Sequence, residues 1–423
     1  MTGWRSSSFP LLAAAVTTAC ALLLTGCGVL PGTTGGSREP LTVMTWAPDG
    51  TKGTNMPGMP AMAQAYARWV NSAGGIGGRE LRVLTCNEHN DSAGASACAR
   101  RAAKEGVVAV VGSYSQYGRT FMPPLEAAGI PYIGGYGLSA EEFSSYLSYP
   151  VNGGQAALLA GNGVQLAGSC ERVALVRPDT TGGDQLPALL DAGLARGNGD
   201  RSRDIKAPDD ASGYGQQAAQ ARDYAAGKGR GCVTAALGER TENFFDSFQR
   251  LPGTGTAAYR DVRVSSVLGS VDQPLLDRSG GAESPFEGAL VTGWYPASDD
   301  ARWNAMRKVL SEHAFGDNRI DPADAGVQTT WIAFTVFRAA VESLGDQRVT
   351  ATRVAGALDR DVRVDTGGLT PSLRWRPSDL LGRPGQLRVV NSDVTFQVVR
   401  RGKLVAQRDD FVDVARTMRA ARS

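Results

Sequence analysis

Short apolar runs alternate with amphipathic segments along most of the chain. The run 41–46 is typical of a strand, and apolar side chains then recur every three or four residues over 59–70, which predicts an amphipathic helix. The same pair of patterns repeats at 81–85 and 95–105, and a fully apolar strand is predicted at 107–111. This alternation predicts a parallel sheet covered by helices on both faces.

The alternation starts again after about residue 155, with strands predicted at 172–176, 232–237 and 262–268. The two halves therefore predict two similar α/β lobes. We expect a further strand within 288–295 to return to the first sheet. The chain then ends in segments typical of antiparallel strands.

Residues 1–26 have the pattern of a secretory signal peptide. Arg5 precedes an uncharged apolar stretch at 11–24, which is too short for a confident transmembrane helix. The stretch ends in the tetrapeptide LTGC at 24–27, which resembles the lipobox of bacterial lipoproteins. We therefore predict cleavage before Cys27 and lipidation of this cysteine.

Residues 27–40 are rich in Gly, Thr, Ser and Pro, which predicts a flexible tether. A protein processed in this way would be held by a lipid anchor on the extracytoplasmic face of the cell membrane. Bacterial lipoproteins as a class carry more than one acyl chain, as stable anchoring requires.

The chain has six cysteines. Cys20 leaves with the signal peptide and Cys27 is lipidated, so four remain. An even number in an exported chain predicts two disulfides, for which three pairings are possible. We predict Cys86–Cys98, because both lie in one local loop and helix segment. We also predict Cys170–Cys232, because each begins an apolar run typical of a strand.

Composition argues against several other functions. The formal net charge is only +2 and is spread without basic blocks, so no nucleic-acid partner is predicted. The two histidines are far apart and no nucleophile–base motif occurs, so the chain is not predicted to be an enzyme. No metal or cofactor is predicted either, since no CxxC pair occurs.

Four segments resemble, in the right order, motifs of one family: NSAGGIGGREL at 71–81, VVAVVGS at 107–113, GIPYI at 129–133, and a glycine- and tryptophan-containing segment at 366–375. The family is that of the type 1 periplasmic solute-binding proteins of the branched-chain amino acid (Leu/Ile/Val-binding) ABC transporter group, in its lipoprotein form. The resemblance covers about 41–415.

The resemblance implies two Rossmann-like lobes with parallel sheets, joined by a three-strand hinge. The first lobe would be 41–152 with 286–362, the second 153–285 with 363–415, and a C-terminal tail would follow at 416–423. The crossings are expected near Tyr149, Pro285 and Gly368.

The same resemblance implies a function in solute capture. The protein would bind a small polar ligand, an amino acid or related compound, and pass it as a monomer to a membrane ABC permease. The alternative is a ligand-sensing lipoprotein that signals to a membrane partner without transport.

Ligands of open α/β sheets bind beyond the carboxyl ends of the strands. The loop of Ser113, Tyr114 and Ser115 follows the predicted strand 107–111, and the resemblance implies that Ser115 holds an anionic group of the ligand. Thr181 stands near a position where amino-acid binders commonly have a tyrosine. The resemblance also implies ligand contacts at Tyr136, at Thr181, and in the long loop after the first strand at Trp46, Asn55 and Met56. Glu239 and Asp272 follow predicted strands and are predicted to pair with an ammonium group of the ligand.

Processing at the lipobox is directly testable. Cys27→Ala should release the protein from membranes, because the thiol that carries the lipid is lost. Fractionation and intact-mass analysis measure this. An unlipidated wild-type chain that begins elsewhere would contradict the prediction.

Overall fold

The computed structural model describes residues 38–421 apart from 181–182, 209–210, 227–228, 254–258, 260, 268–269, 361 and 383–384. The predicted signal peptide, Cys27 and most of the tether lie outside the described residues. Arg38–Ser423 form one compact unit. Its first strand begins at Arg38, so the predicted tether, drawn to residue 40, extends too far.

The first lobe is built on a parallel sheet of five strands in the order β2-β1-β3-β4-β5. The strands are β1 Arg38–Ala47, β2 Arg79–Asn87, β3 Ala109–Val111, β4 Tyr132–Ile133 and β5 Ser148–Tyr149. The helices between them are α1 Gly58–Ser72, α2 Ser92–Lys104, α3 Gly118–Ala128 and α4 Ala140–Ser144. This lobe has the predicted alternation of strand and helix.

The second lobe is built on a sheet of eight strands, whose main path has the order β12-β11-β10-β9-β8-β6-β7, with β13 paired to β11. The strands are β6 Arg172–Pro178, β7 Arg203–Ala207, β8 Gly231–Ala235, β9 Val262–Val267, β10 Leu290–Gly293, β11 Asp393–Arg400, β12 Lys403–Ala406 and β13 Val412–Asp413. The helices that precede β10 are α5 Gly154–Ala167, α6 Leu186–Leu194, α7 Gly215–Ala225, α8 Thr241–Gln249 and α9 Gln273–Arg278. The sheet is mixed, because β11 runs antiparallel to β10 and β12.

The strand expected to return to the first sheet does not do so, and that prediction was wrong. β10 lies parallel to β9, with Leu290 opposite Ser265, and antiparallel to β11, with Leu290 opposite Val398. Its four residues are all buried, which is the usual position of an apolar strand inside a sheet. The second crossing therefore follows β10, near Trp294, rather than Pro285.

After this crossing the chain adds helices to the first lobe, without another strand among the described residues. They are α10 Asn304–His313, α11 Ala325–Ser343 and α12 Ala351–Arg360. The ring of Tyr66 on α1 lies 5.1 Å from that of Phe334, and Trp69 stacks on Trp331 at 5.5 Å. Contacts of this kind fix α11 against the sheet-covering helix α1.

The chain then returns to the second lobe for β11 and ends in α13, Ala415–Ala420. This helix packs against α5 and α6, so the predicted tail at 416–423 begins as part of the lobe. Across the described residues, no helix combines the length and apolar character needed to cross a membrane.

Both predicted disulfides are present. Cys86–Cys98 joins the end of β2 to α2 across 12 residues. Cys170–Cys232 joins the segment just before β6 to β8 across 62 residues. Each bond therefore ties neighbouring elements of one lobe.

The two bonds should differ in their contribution to stability, since a crosslink that closes a longer loop removes more entropy from the unfolded chain. Replacing Cys170 and Cys232 by Ala should lower the free energy of unfolding by about 4 kcal/mol, and replacing Cys86 and Cys98 by about 3 kcal/mol. Urea denaturation of the two double variants measures this. Equal losses, or the reverse order, would show that loop entropy does not govern the difference.

Candidate functional site

A cavity of about 580 Å³ lies between the lobes, and we call it the aromatic chamber. It lies beyond the carboxyl ends of β3, β4, β6, β8 and β9, where open α/β sheets bind their ligands. Its lining residues from the first lobe are Gly53, Thr54, Met56, Asn90, Tyr114, Gln116, Tyr117, Tyr136 and Leu138. Those from the second lobe and the crossing are Gln155, Leu158, Pro178, Thr180, Ala236, Leu237, Gly238, Arg240, Val267, Ser270 and Trp294.

A second cavity of about 360 Å³ adjoins the first, and we call it the acidic chamber. Met56, Tyr136 and Ser270 line both cavities. The other residues of the acidic chamber are Asn55, Glu242, Asp272, Leu275, Arg278, Asp324 and Ala325. In the part of the chain that the structure describes, no three His, Cys, Asp or Glu side chains are grouped as metal ligands.

The loop after β3 packs against α11 and bonds to β1. Gly112 has φ +62°, and a Cβ there would lie 2.8 Å from the Thr330 side chain, so the loop starts in direct contact with α11. Ser113 is fully buried, and its Oγ accepts a hydrogen bond of 3.0 Å from the backbone N–H of Trp46. Tyr114, the next residue, lines the aromatic chamber.

Ser115, the predicted anion-binding residue, does not line either chamber. It is 1% exposed, and its Oγ accepts a hydrogen bond of 3.1 Å from the Tyr117 N–H. Glu88, which directly follows β2, is also fully buried, and neither of its carboxyl oxygens has a hydrogen-bond partner among the described residues. Burial raises the pKa of Glu88 to about 7. Ser115 therefore supports the loop that carries Tyr114 and Tyr117.

The loop after β4 is fixed by another buried carboxylate. Glu142 accepts hydrogen bonds from the N–H groups of Gly137 and Leu138, both at 3.0 Å, and of Ser139 at 2.9 Å. Burial raises its pKa to about 7, although these bonds oppose the rise. The Tyr136 N–H donates to the Ser113 carbonyl at 2.9 Å. The two loops of the first lobe that line the aromatic chamber are thereby joined.

The three residues predicted in the long loop after β1 lie in different places. Trp46 is fully buried between Phe121 and Tyr132, with ring centroids at 5.5 and 5.8 Å, and does not line either chamber. Asn55 lines the acidic chamber, although its side chain also bonds to its own loop. Met56 lines both chambers.

Two aspartates of the acidic chamber cap helices. The Asp272 carboxylate accepts from the Leu275 N–H at 2.9 Å, and that of Asp324 accepts from the Val327 N–H at 2.8 Å. Burial raises the pKa of both, to about 6 for Asp324, and the two carboxylates repel each other. A further anion would be unfavourable in this chamber.

Two predicted contacts in the second lobe are only partly located. Thr181 lies outside the described residues, and its neighbour Thr180 lines the aromatic chamber. Glu239 belongs to a 3-10 helix, Gly238–Arg240, whose first and last residues line the same chamber. The Glu239 side chain lies outside the description.

Sequence reasoning missed Arg240, Trp294 and Asp324. Arg240 follows β8 and Trp294 follows β10. Both could therefore have been found from the rule that ligands of open α/β sheets bind beyond the carboxyl ends of the strands. Trp294 was missed because its strand was assigned to the wrong sheet. Asp324 carries a weaker signal, that of a capping residue before a long apolar helix.

Solved structures share this architecture at low sequence identity. A substrate-binding periplasmic protein from Ralstonia solanacearum matches with TM-score 0.68 and 16% identity, covering 87% of this chain and 100% of its own. A possible leucine/isoleucine/valine-binding protein from Rhodopirellula baltica matches with TM-score 0.69 and 13% identity, covering 89% and 98%. An ABC transporter solute-binding protein from Rhodopseudomonas palustris, solved with 3,4-dihydroxybenzoic acid, matches with TM-score 0.66 and 14% identity, covering 89% and 98%.

None of the curated proteins matches this sequence. The sequence profile described as periplasmic binding protein matches residues 44–393, which is most of the chain. This match and the shared fold confirm the predicted resemblance to periplasmic solute-binding proteins and the predicted type 1 fold class. The chain therefore belongs to the periplasmic binding protein family.

Proposed function

We propose that the protein captures a small polar solute between its lobes, outside the cytoplasm, and passes it to the permease of an ABC importer. One observation carries the proposal: the aromatic chamber is lined from both lobes, so a solute inside it touches both at once. Its volume of about 580 Å³ lies in the usual range for small-molecule sites. A solute bound in this way favours hinge closure, because it can contact both lobes at once only when the lobes lie close together.

The family consists of solute-binding proteins rather than enzymes, as predicted, and its membership implies an extracytoplasmic location. We further propose that the chain is held at the membrane through lipid on Cys27 and acts as a monomer. The lipobox-like residues at 24–27 support the anchor.

Known relatives of the fold suggest two kinds of solute. One neighbour is described as a possible Leu/Ile/Val-binding protein, and another was solved with 3,4-dihydroxybenzoic acid. Amino acids and aromatic acids both carry a carboxylate on a small body. Either would suit a chamber that mixes aromatic, aliphatic and polar side chains.

The predicted contacts divide according to their position. We propose that Tyr114, Tyr136 and Met56 touch the solute, because each lines the aromatic chamber. Ser113, Ser115 and Trp46 would act by supporting the loops that carry these side chains. Asn55 and Asp272 line the neighbouring acidic chamber, while Thr181 and Glu239 remain predicted contacts on the second lobe.

Tyr136 gives the sharpest test of the cleft, since it lines both chambers. In a thermal-shift screen of amino acids, amides, short peptides, sugars and aromatic acids, at least one solute should stabilise the wild type. Calorimetric titration with that solute should then show that Tyr136→Ala weakens binding at least about tenfold, through lost aromatic contact. Tyr146→Ala is the matched control, because Tyr146 is 62% exposed and lines neither chamber.

Unchanged affinity in the Tyr136→Ala variant, with its melting temperature without solute preserved, would place the site elsewhere. A screen in which no solute stabilises the protein would contradict solute capture itself.

Delivery to a permease is tested separately by uptake. Cells that lack this protein should take up the identified solute more slowly than wild type, and the full-length protein should restore uptake. Cys27→Ala should restore less, because the released protein is diluted away from the membrane. Normal uptake without the protein would contradict the transport role and favour ligand sensing.

A further inference from the structure

The wall of the aromatic chamber is a connected row of rings. Tyr136 lies in the middle, with its centroid 5.2 Å from that of Tyr114 and 5.3 Å from that of Trp294. The Trp294 indole N–H donates to the Gly154 carbonyl at 2.9 Å, and the Tyr136 loop is fixed by the Glu142 carboxylate. Rings fixed in place offer contact area to a solute at little entropic cost.

The same chamber also exposes an apolar side chain. Leu138 lines it and is 36% exposed. A solute with an apolar face would cover this surface. An aliphatic or aromatic body satisfies that requirement, and the neighbouring rings favour a planar one.

The second lobe contributes one positively charged residue, Arg240, to the lining of the aromatic chamber. Arg240 is the only charged side chain among the described residues that line the aromatic chamber. It is partly buried, and it makes no ion pair with another described side chain. Glu242, which lines the adjoining acidic chamber, pairs with Arg278 at 2.8 Å rather than with Arg240.

We infer that the solute is a carboxylate that carries a planar ring, with the ring against Tyr136 and the carboxylate on Arg240. This inference rests on the proposed function and specifies its ligand class. It also moves the anion-binding group from the first lobe, where Ser115 was expected to hold it, to the second lobe.

The charges around the two chambers determine the orientation of such a solute. Asp272 and Asp324 line the acidic chamber, which meets the aromatic chamber at Tyr136, and their charges repel a carboxylate there. Arg240 provides a planar guanidinium that can bind a carboxylate through two parallel hydrogen bonds. Ring contacts in the first lobe and charge contacts in the second would together hold the cleft closed.

The test uses two acids, benzoate and phenylacetate, and their uncharged amides, benzamide and phenylacetamide. Calorimetric titration of the full chain should show that wild type binds at least one acid, and its amide at least tenfold more weakly. Arg240→Gln should weaken binding of that acid at least tenfold and remove its advantage over the amide. Cyclohexanecarboxylate should bind several-fold more weakly than benzoate, because it lacks a flat aromatic face.

Arg250→Gln is the matched control, because Arg250 directly follows α8, pairs with Asp246 at 2.9 Å and lines neither chamber. It should leave the affinity for the acid unchanged. Equal binding of acid and amide by wild type, wild-type affinity in Arg240→Gln, or binding of neither acid would overturn the inference. If aliphatic amino acids or sugars bind while both acids fail, the ligand class is wrong and the proposed function stands; if no small solute binds, the proposed function fails as well.

Discussion

The buried residue Tyr295 makes hydrogen bonds to elements of both lobes. Its carbonyl accepts hydrogen bonds from Thr395 at 2.7 Å and Gln397 at 2.9 Å, both on β11 of the second lobe. Its hydroxyl accepts from the Asn152 amide at 3.0 Å and lies 2.9 Å from the hydroxyl of Thr329 on α11. Because Thr329 donates to the Ala325 carbonyl, Tyr295 is the donor in this last bond. Burial raises the pKa of Tyr295 to about 12, so it keeps the proton it donates.

The aromatic chamber adjoins this connection. Trp294, the preceding residue, lines the aromatic chamber. The bonds of Tyr295 therefore also help to position Trp294 in the chamber wall. On the first-lobe side, Ser113 and Glu142 hold the two loops that carry Tyr114 and Tyr136. The rings are therefore supported by buried polar groups rather than by the solute, and the second lobe supplies the opposing charge through Arg240.

Sequence patterns predicted features that depend on local order along the chain. The strand and helix alternation predicted two α/β lobes. The disulfide pairing followed from the local segment that Cys86 and Cys98 share and from the apolar runs that begin at Cys170 and Cys232. Patterns could not assign β10 to a sheet, because an apolar strand is equally suited to either sheet. Nor could they distinguish side chains on one loop: Tyr114 lines the chamber while Ser113 and Ser115 are buried behind it. Trp46 was predicted in the cleft because it was placed in the long loop after the first strand, yet its ring packs into the core.

The central claim is that the solute is held between the lobes, against the aromatic row on one side and Arg240 on the other. A crystal structure of the protein with the tightest-binding solute of the screen tests it most directly. The claim predicts density in the aromatic chamber, with the solute in contact with Tyr136 and with Arg240, and with the lobes closed around it. Density for the solute outside this chamber, or contacts with one lobe alone, would contradict it.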